Sequence, residues 1–267
     1  MTTRSTRAAI AIIYGLCCHA AFALGVGAMM AAMFFGMSRS LGALSAPWSF
    51  AANGFLLIQF PILHSWLLSR PGRSLLSRLA PFALGDRLTT TTYAFIASVQ
   101  VGLLFVLWSP SGIIWWQASG LALAAISSLY ATAWLLLLRS IIDAGFAMQV
   151  GLLGWRAVAK DVAPKYPPMP KLGLFRICRQ PIYVSFALTL WTTPTVTPDQ
   201  LVVATALTAY CLIGPMFKEA RFKRLFGDQF EAYRQEVPYL PQWPRRSALI
   251  LQREAGPARC DSSLPNI

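Results

Sequence analysis

Long apolar runs broken by short arginine-bearing loops set the pattern of this chain. A membrane helix needs about 20 mainly apolar residues to cross a hydrocarbon core ~30 Å thick. Six stretches meet or approach that length: 8–37, 50–68, 92–108, 113–138, 181–196 and 201–217. The fifth is short, rising about 24 Å at ~1.5 Å per residue. Pro194 and Pro198 bracket Thr195, Val196 and Thr197, so the last two stretches read as a short hairpin with a tight turn. Arg4 and Arg7 resemble the start of a signal peptide, but the run that follows far exceeds the roughly 7–15 apolar residues of such a segment. It therefore reads as a retained helix. The expected fold is an all-α integral membrane bundle of about six transmembrane helices.

Beyond the sixth run the periodicity continues in a different register. Phe222, Phe226, Phe230 and Tyr233 recur at helical spacing, with Lys, Arg and Glu on the other faces. Gly227 suits the end of one helix, and Asp228 with Glu231 suits the start of the next. An amphipathic helix with a cationic polar face commonly lies in the membrane interface. This segment is expected to form a cytoplasmic C-terminal amphipathic cap. Residues 1–241 then make one membrane domain, and 242–267 a basic, flexible tail.

Composition removes the soluble alternatives. The chain is 56% hydrophobic and 12% charged, whereas a soluble domain carries roughly 25% charged residues. Disorder is excluded by the same hydrophobicity. Lys and Arg number 23 against 10 acidic residues, a net charge of +13. In a soluble chain that excess points to nucleic acid. Here the cations fall between apolar runs, which points to anionic lipid headgroups and to no nucleic-acid partner. Every Lys and Arg except Arg39 falls on one side of the six crossings. The positive-inside rule then places both termini in the cytoplasm of a multi-pass inner-membrane protein. The five cysteines are odd in number and form no CxxC, so no disulfide framework and no metal site is expected. Nucleotide-binding loops and HExxH motifs are absent.

The polar residues with chemical potential cluster at the basic side. Pro181 suits the first position of a helix, which leaves the following amides free at a positive dipole end. Such an end accepts a carboxylate or phosphate, and Arg176 and Arg179 add bidentate donors. The same residues also suit a plain anchor on lipid headgroups. Glu219 is a carboxylate at the end of a span and needs a cation, with Arg176, Arg179 and Arg221 within reach. His64, near the basic end of the second run, is the one group there suited to act as a base at neutral pH. It also suits a hydrogen-bonded packing role.

Taken together these segments resemble a known family. Arg179-Gln180-Pro181-Ile182-Tyr183, a helical hairpin, Lys218-Glu219, Phe226-Gly227, Phe230, Tyr233 and Val237-Pro238 are similar to the integral-membrane methyltransferases related to isoprenylcysteine carboxyl methyltransferase. His64-Ser65, Arg70-Pro71, Thr92-Tyr93 and Trp108-Ser109-Pro110 resemble its methanethiol S-methyltransferase and NnrU-type branch. The likeness runs over 59–241. It implies S-adenosylmethionine as cofactor, with Gln180, Pro181, Tyr183, Glu219, Tyr233 and Arg234 lining its pocket. Arg179, Glu219 and His64 are the implied catalytic residues. The implied acceptor is a small thiol or another membrane-soluble molecule. Alternatives are a prenyl or lipid carboxyl or amine, or a non-catalytic NnrU-like factor. Gln180 stands where the family carries His, and Lys218 where it carries the first of two glutamates. Gln180 hydrogen-bonds without titrating, and Lys218 reverses a charge.

Overall fold

The computed structural model describes residues 3–81 and 84–242. Its helices are α1 (Arg4–Phe34), α2 (Trp48–Leu67), α3 (Arg70–Leu79), α4 (Gly85–Leu107), α5 (Gly120–Asp143), α6 (Phe146–Gln149), α7 (Leu152–Ala159), α8 (Pro181–Trp191), α9 (Pro198–Phe226) and α10 (Asp228–Glu236). The strands β1 (Trp116–Gln117) and β2 (Thr195–Val196) are two residues each. Among the described residues five helices, α1, α2, α4, α5 and α9, are long and apolar enough to cross a membrane. Many of their large apolar side chains are exposed, as lipid-facing surfaces require.

The expected short fifth crossing is made of two kinds of structure. Helix α8 has 11 residues, about 16 Å of rise. The chain continues extended into β2, which pairs antiparallel with β1. Trp115 N–H donates to Val196 O (3.0 Å) and Ala118 N–H to Pro194 O (2.8 Å). The Gln200 amide donates to Leu190 O at 2.8 Å, serving the end of α8. Non-helical backbone at membrane depth is tolerated only where protein satisfies it, and this hairpin is satisfied on both sides.

Three boundaries differ from the sequence expectation. The run 113–138 gives up its first residues to β1, so α5 begins at Gly120. Helix α4 starts earlier than residue 92, because its polar first turns are packed inside. Thr91 Oγ1 donates to Gly151 O (2.7 Å) and Thr92 Oγ1 to Leu88 O (3.2 Å). Helix α9 continues past 217 to Phe226, through Pro215. The core joins α1, α2, α4, α8 and α9 around Met33, Phe60, Phe105, Leu190 and Leu207. Gly25 lets α1 meet α4 closely: a Cβ there would lie 2.5 Å from Ser98 O.

At the end with short loops, Asp199 ties the hairpin to α4. It accepts from Trp108 Nε1 (3.0 Å), Ser111 N–H (2.9 Å) and the Ser111 hydroxyl. Asp199→Ala leaves the buried Trp108 indole N–H unpaired, at a cost of about 1–3 kcal/mol, and releases the Ser111 N–H at the surface. A clear fall in the thermal midpoint of the detergent-solubilised protein is expected, and an unchanged midpoint would show that this end contributes little. Arg39 lies at this same end, over the ring of Phe35. At the opposite, basic end, Asp161 bridges Arg4 (3.5 Å) and Arg87 (3.3 Å). The expected tail 242–267 lies, past Gln242, outside the described residues.

Candidate functional site

The segment leading into α8 is held in place before it reaches the site. Gly173 adopts φ +61°, and a Cβ there would sit 2.1 Å from Asp143 Oδ2. Glycine is therefore required by both backbone and space. Leu174 N–H donates to that same carboxylate (2.9 Å), and Arg139 pairs with it (2.9 Å). The 3₁₀ turn Gly173–Arg176 is thereby fixed, and Phe175 is buried within it. Tyr233 on α10 donates its hydroxyl to Phe175 O at 2.7 Å. Burial pushes the Tyr233 phenol up, so it remains a donor at working pH. Burial likewise pushes up the neighbouring Cys178 thiol, which argues against a nucleophilic role.

Arg179, Gln180, Lys218 and Glu219 form one hydrogen-bonded unit where α8 begins against α9. Arg179 Nε donates to Glu219 Oε1 (2.8 Å) and Nη2 to Oε2 (3.4 Å). The two side chains are 11% and 15% exposed, so this is a largely desolvated pair. Gln180 Nε2 donates to Glu219 Oε1 at 2.7 Å, while its carbonyl accepts from Lys218 Nζ at 2.9 Å. Arg179 also reaches the cap: Nη1 donates to Arg234 O (3.0 Å) and Val237 O (2.6 Å), and its own N–H donates to Pro238 O (2.9 Å). Of the cations within sequence reach of Glu219, Arg179 is its partner and Arg176 is exposed.

Pro181 occupies the start of α8 as expected, with Gln180 at the cap position. The first backbone bond closes at Val184 onto Gln180 O, leaving the amides of Ile182 and Tyr183 outside the helix's own pairing. Tyr183 turns its ring toward Lys218. Arg234 contributes a backbone carbonyl, while its guanidinium pairs with Glu231 on its own helix at 2.7 Å. The aromatic stripe of the cap packs inward: Phe230 and Tyr233 close on Met169, with Phe222 and Phe226 alongside. A cavity of about 10 Å³ remains between Phe175, Glu219, Phe222, Phe230 and Tyr233, room for about one water molecule. A larger ligand requires the cap to lift.

His64 lies in a second cluster. Its Nε2 is 2.7 Å from the Tyr93 hydroxyl, and Phe60 and Tyr210 flank the ring. Its Nδ1 is buried and has no hydrogen-bond partner among the described residues. Tyr210 also meets Ser65 (3.2 Å). Tyr210 and Tyr183 both face Gly214, where an added Cβ would touch each ring at 3.1 and 3.5 Å. These two rings connect the His64 cluster to the Lys218 side. Tyr210 carries no signal in the sequence because it sits inside an apolar run.

The residues fit the cofactor that the resemblance implies in their chemistry. Glu219 Oε2 takes one long contact and keeps accepting capacity for hydroxyl or ammonium groups. Arg179 and the free amides of α8 suit a carboxylate, and three aromatic rings stand nearby.

No family model matches the chain, and no solved structure does. Among curated proteins, it is 28% identical over 253 residues to a methanethiol S-methyltransferase of Mycobacterium tuberculosis, covering 89% of this chain and 98% of that one. A methanethiol S-methyltransferase of Pseudomonas sp. (strain GM41(2012)) is 26% identical over 238 residues, covering 86% and 88%. Methanethiol S-methyltransferase 2 of Bradyrhizobium diazoefficiens is 30% identical over 193 residues, covering 70% and 71%. These names support an enzyme over a non-catalytic membrane factor. With this identity sustained over most of both chains, and with the helical membrane fold, the chain belongs to the methanethiol S-methyltransferase family of membrane methyltransferases.

Proposed function

We propose that this protein transfers the methyl group of S-adenosylmethionine to a small thiol at the cytoplasmic face of the inner membrane. The observation that carries the reading is the unit Arg179–Glu219–Gln180, placed at the proline-started helix and closed over by α10. When bound, S-adenosylmethionine supplies an electrophilic methyl group on a sulfonium. Glu219 Oε2 is suited to its ribose hydroxyls or amino group, and Arg179 with the Ile182 and Tyr183 amides to its carboxylate. The cap excludes water, which alignment of a donor and an acceptor in a methyl displacement requires.

A thiol reacts as its thiolate, so a proton must leave. We assign that role to His64, whose buried Nδ1 has no hydrogen-bond partner among the described residues. The Tyr93 hydroxyl also lies 3.5 Å from His64 O. With its hydrogen directed there, Nε2–H donates to the Tyr93 oxygen and Nδ1 carries the free lone pair. His64→Ala is expected to lower turnover roughly a hundredfold, the usual size of a positioned base, while donor affinity changes less than about twofold. Steady-state rates with parallel donor titrations check this. Equal losses in both would make His64 a packing residue.

The function itself is tested with purified protein, S-adenosylmethionine deuterated in its methyl group, and a panel of thiols, amines and lipid carboxyls. A deuterated volatile thioether in the headspace is expected. Label confined to a methyl ester or amine in the organic extract would move the acceptor to the lipid class, and no labelled product would contradict the reading.

A further inference from the structure

The ammonium of Lys218 stands among three aromatic rings, with Nζ 5.4 Å from the centroid of Phe175, 5.8 Å from Tyr183 and 5.4 Å from Phe222. Among the described residues no carboxylate lies within 4.0 Å of it. The adjacent Glu219 is committed to Arg179 and Gln180. Two of the three ammonium donors go to Gln180 Oε1 (2.9 Å) and Arg179 O (3.3 Å). The ring faces supply the rest of its environment. An aromatic enclosure of this kind is how proteins hold onium ions, and here the chain fills it with its own cation.

We propose that Lys218 is the resident cation of an onium cage and sets the preference of the site between charged and uncharged adenosyl ligands. This rests on the reading that the site binds S-adenosylmethionine. The Arg179–Glu219 pair is internally neutral, so Lys218 leaves the cage with one uncompensated positive charge. A sulfonium brought to the same rings meets that charge at short range, where repulsion is weakly screened. The lysine stem is flexible, so the ammonium can leave without moving α9. A thioether of the same shape carries no charge and meets no such repulsion. Lys218 thus weakens binding of the methyl donor relative to the demethylated product.

The test is titration calorimetry of the purified full chain in detergent with S-adenosylmethionine and with S-adenosylhomocysteine. Lys218→Met keeps the length and removes the charge. It is expected to shift the ratio of the two affinities about tenfold toward the sulfonium ligand, the size of one cation–aromatic exchange. Lys218→Gln, which keeps a donor for Gln180, is expected to shift the ratio in the same direction and covers the case in which the methionine variant does not fold. An unchanged ratio overturns the proposal while leaving the site intact. A weaker grip on both ligands by the same factor overturns it too, because Lys218 would then be holding the carboxylate that the two share. If neither ligand binds to variants with native melting profiles, the underlying site reading falls and this proposal falls with it.

Discussion

Glu219→Ala is expected to lower affinity for S-adenosylmethionine at least about a hundredfold in a protein that still inserts into the membrane. The carboxylate joins α8 to α9 through Arg179 and Gln180. Its removal leaves a guanidinium that is 11% exposed without its counter-charge. Breaking a largely buried pair from one side costs about 3–5 kcal/mol. That cost falls on the folded protein, whereas the affinity loss comes from the hydrogen bonds the carboxylate offers the donor, about 1.5–3 kcal/mol each to a charged group; a hundredfold corresponds to about 2.7 kcal/mol. Glu219→Gln keeps one accepting oxygen and loses the charge, so its affinity should fall between the two. Equilibrium dialysis with labelled donor reads the affinities, and a thermal melt read alongside shows that the fold persists. Wild-type affinity in the alanine variant would remove Glu219 from the site.

Arg179→Lys is expected to release the cap. Arginine spreads its donors between the carboxylate of Glu219 and the carbonyls of Arg234 and Val237. A lysine ammonium is a point charge and cannot span both directions. Two charge-assisted bonds to α10 and the residues after it are lost, together about 3 kcal/mol at the lower end of their usual worth. The Arg179 N–H to Pro238 O bond and the packing of Phe230 on Met169 remain. The cap should therefore open more often without unfolding. Trypsin cleavage after Arg224 or Arg234 should then accelerate roughly a hundredfold where opening precedes cutting. Timed digestion followed by mass spectrometry reads this directly. An unchanged cleavage rate would show that the cap is held by its apolar contacts alone.

The membrane architecture was legible because lipid-facing helices write themselves as long apolar runs. Where polar side chains turn inward, the signal fails. Asp86, Arg87 and Thr89 to Thr91 made the start of α4 look like a loop, although the Thr91 hydroxyl is spent inside the bundle. The pairing of β1 with β2 left no trace, since two-residue strands have no periodicity to detect. At the site, Arg179, Gln180, Pro181 and Glu219 stood out because charge and proline beside apolar runs are conspicuous. Their wiring did not, because it depends on how the hairpin brings residue 179 against residue 219. Lys218 was visible as a reversed charge, but its three rings come from separate elements and only the fold assembles them. Arg234 illustrates the limit of motif reading: helix register sends its guanidinium to Glu231, and its carbonyl faces the site.

In the proposed reaction the methyl donor is held between the start of α8 and the helix that folds back over it. Hydrogen–deuterium exchange of the full-length protein, with and without S-adenosylmethionine, addresses it most directly. Peptides covering 173–184 and 228–238 should gain protection together, at the same donor concentration. Protection of neither segment, or of a region elsewhere with both of these unchanged, would contradict the account.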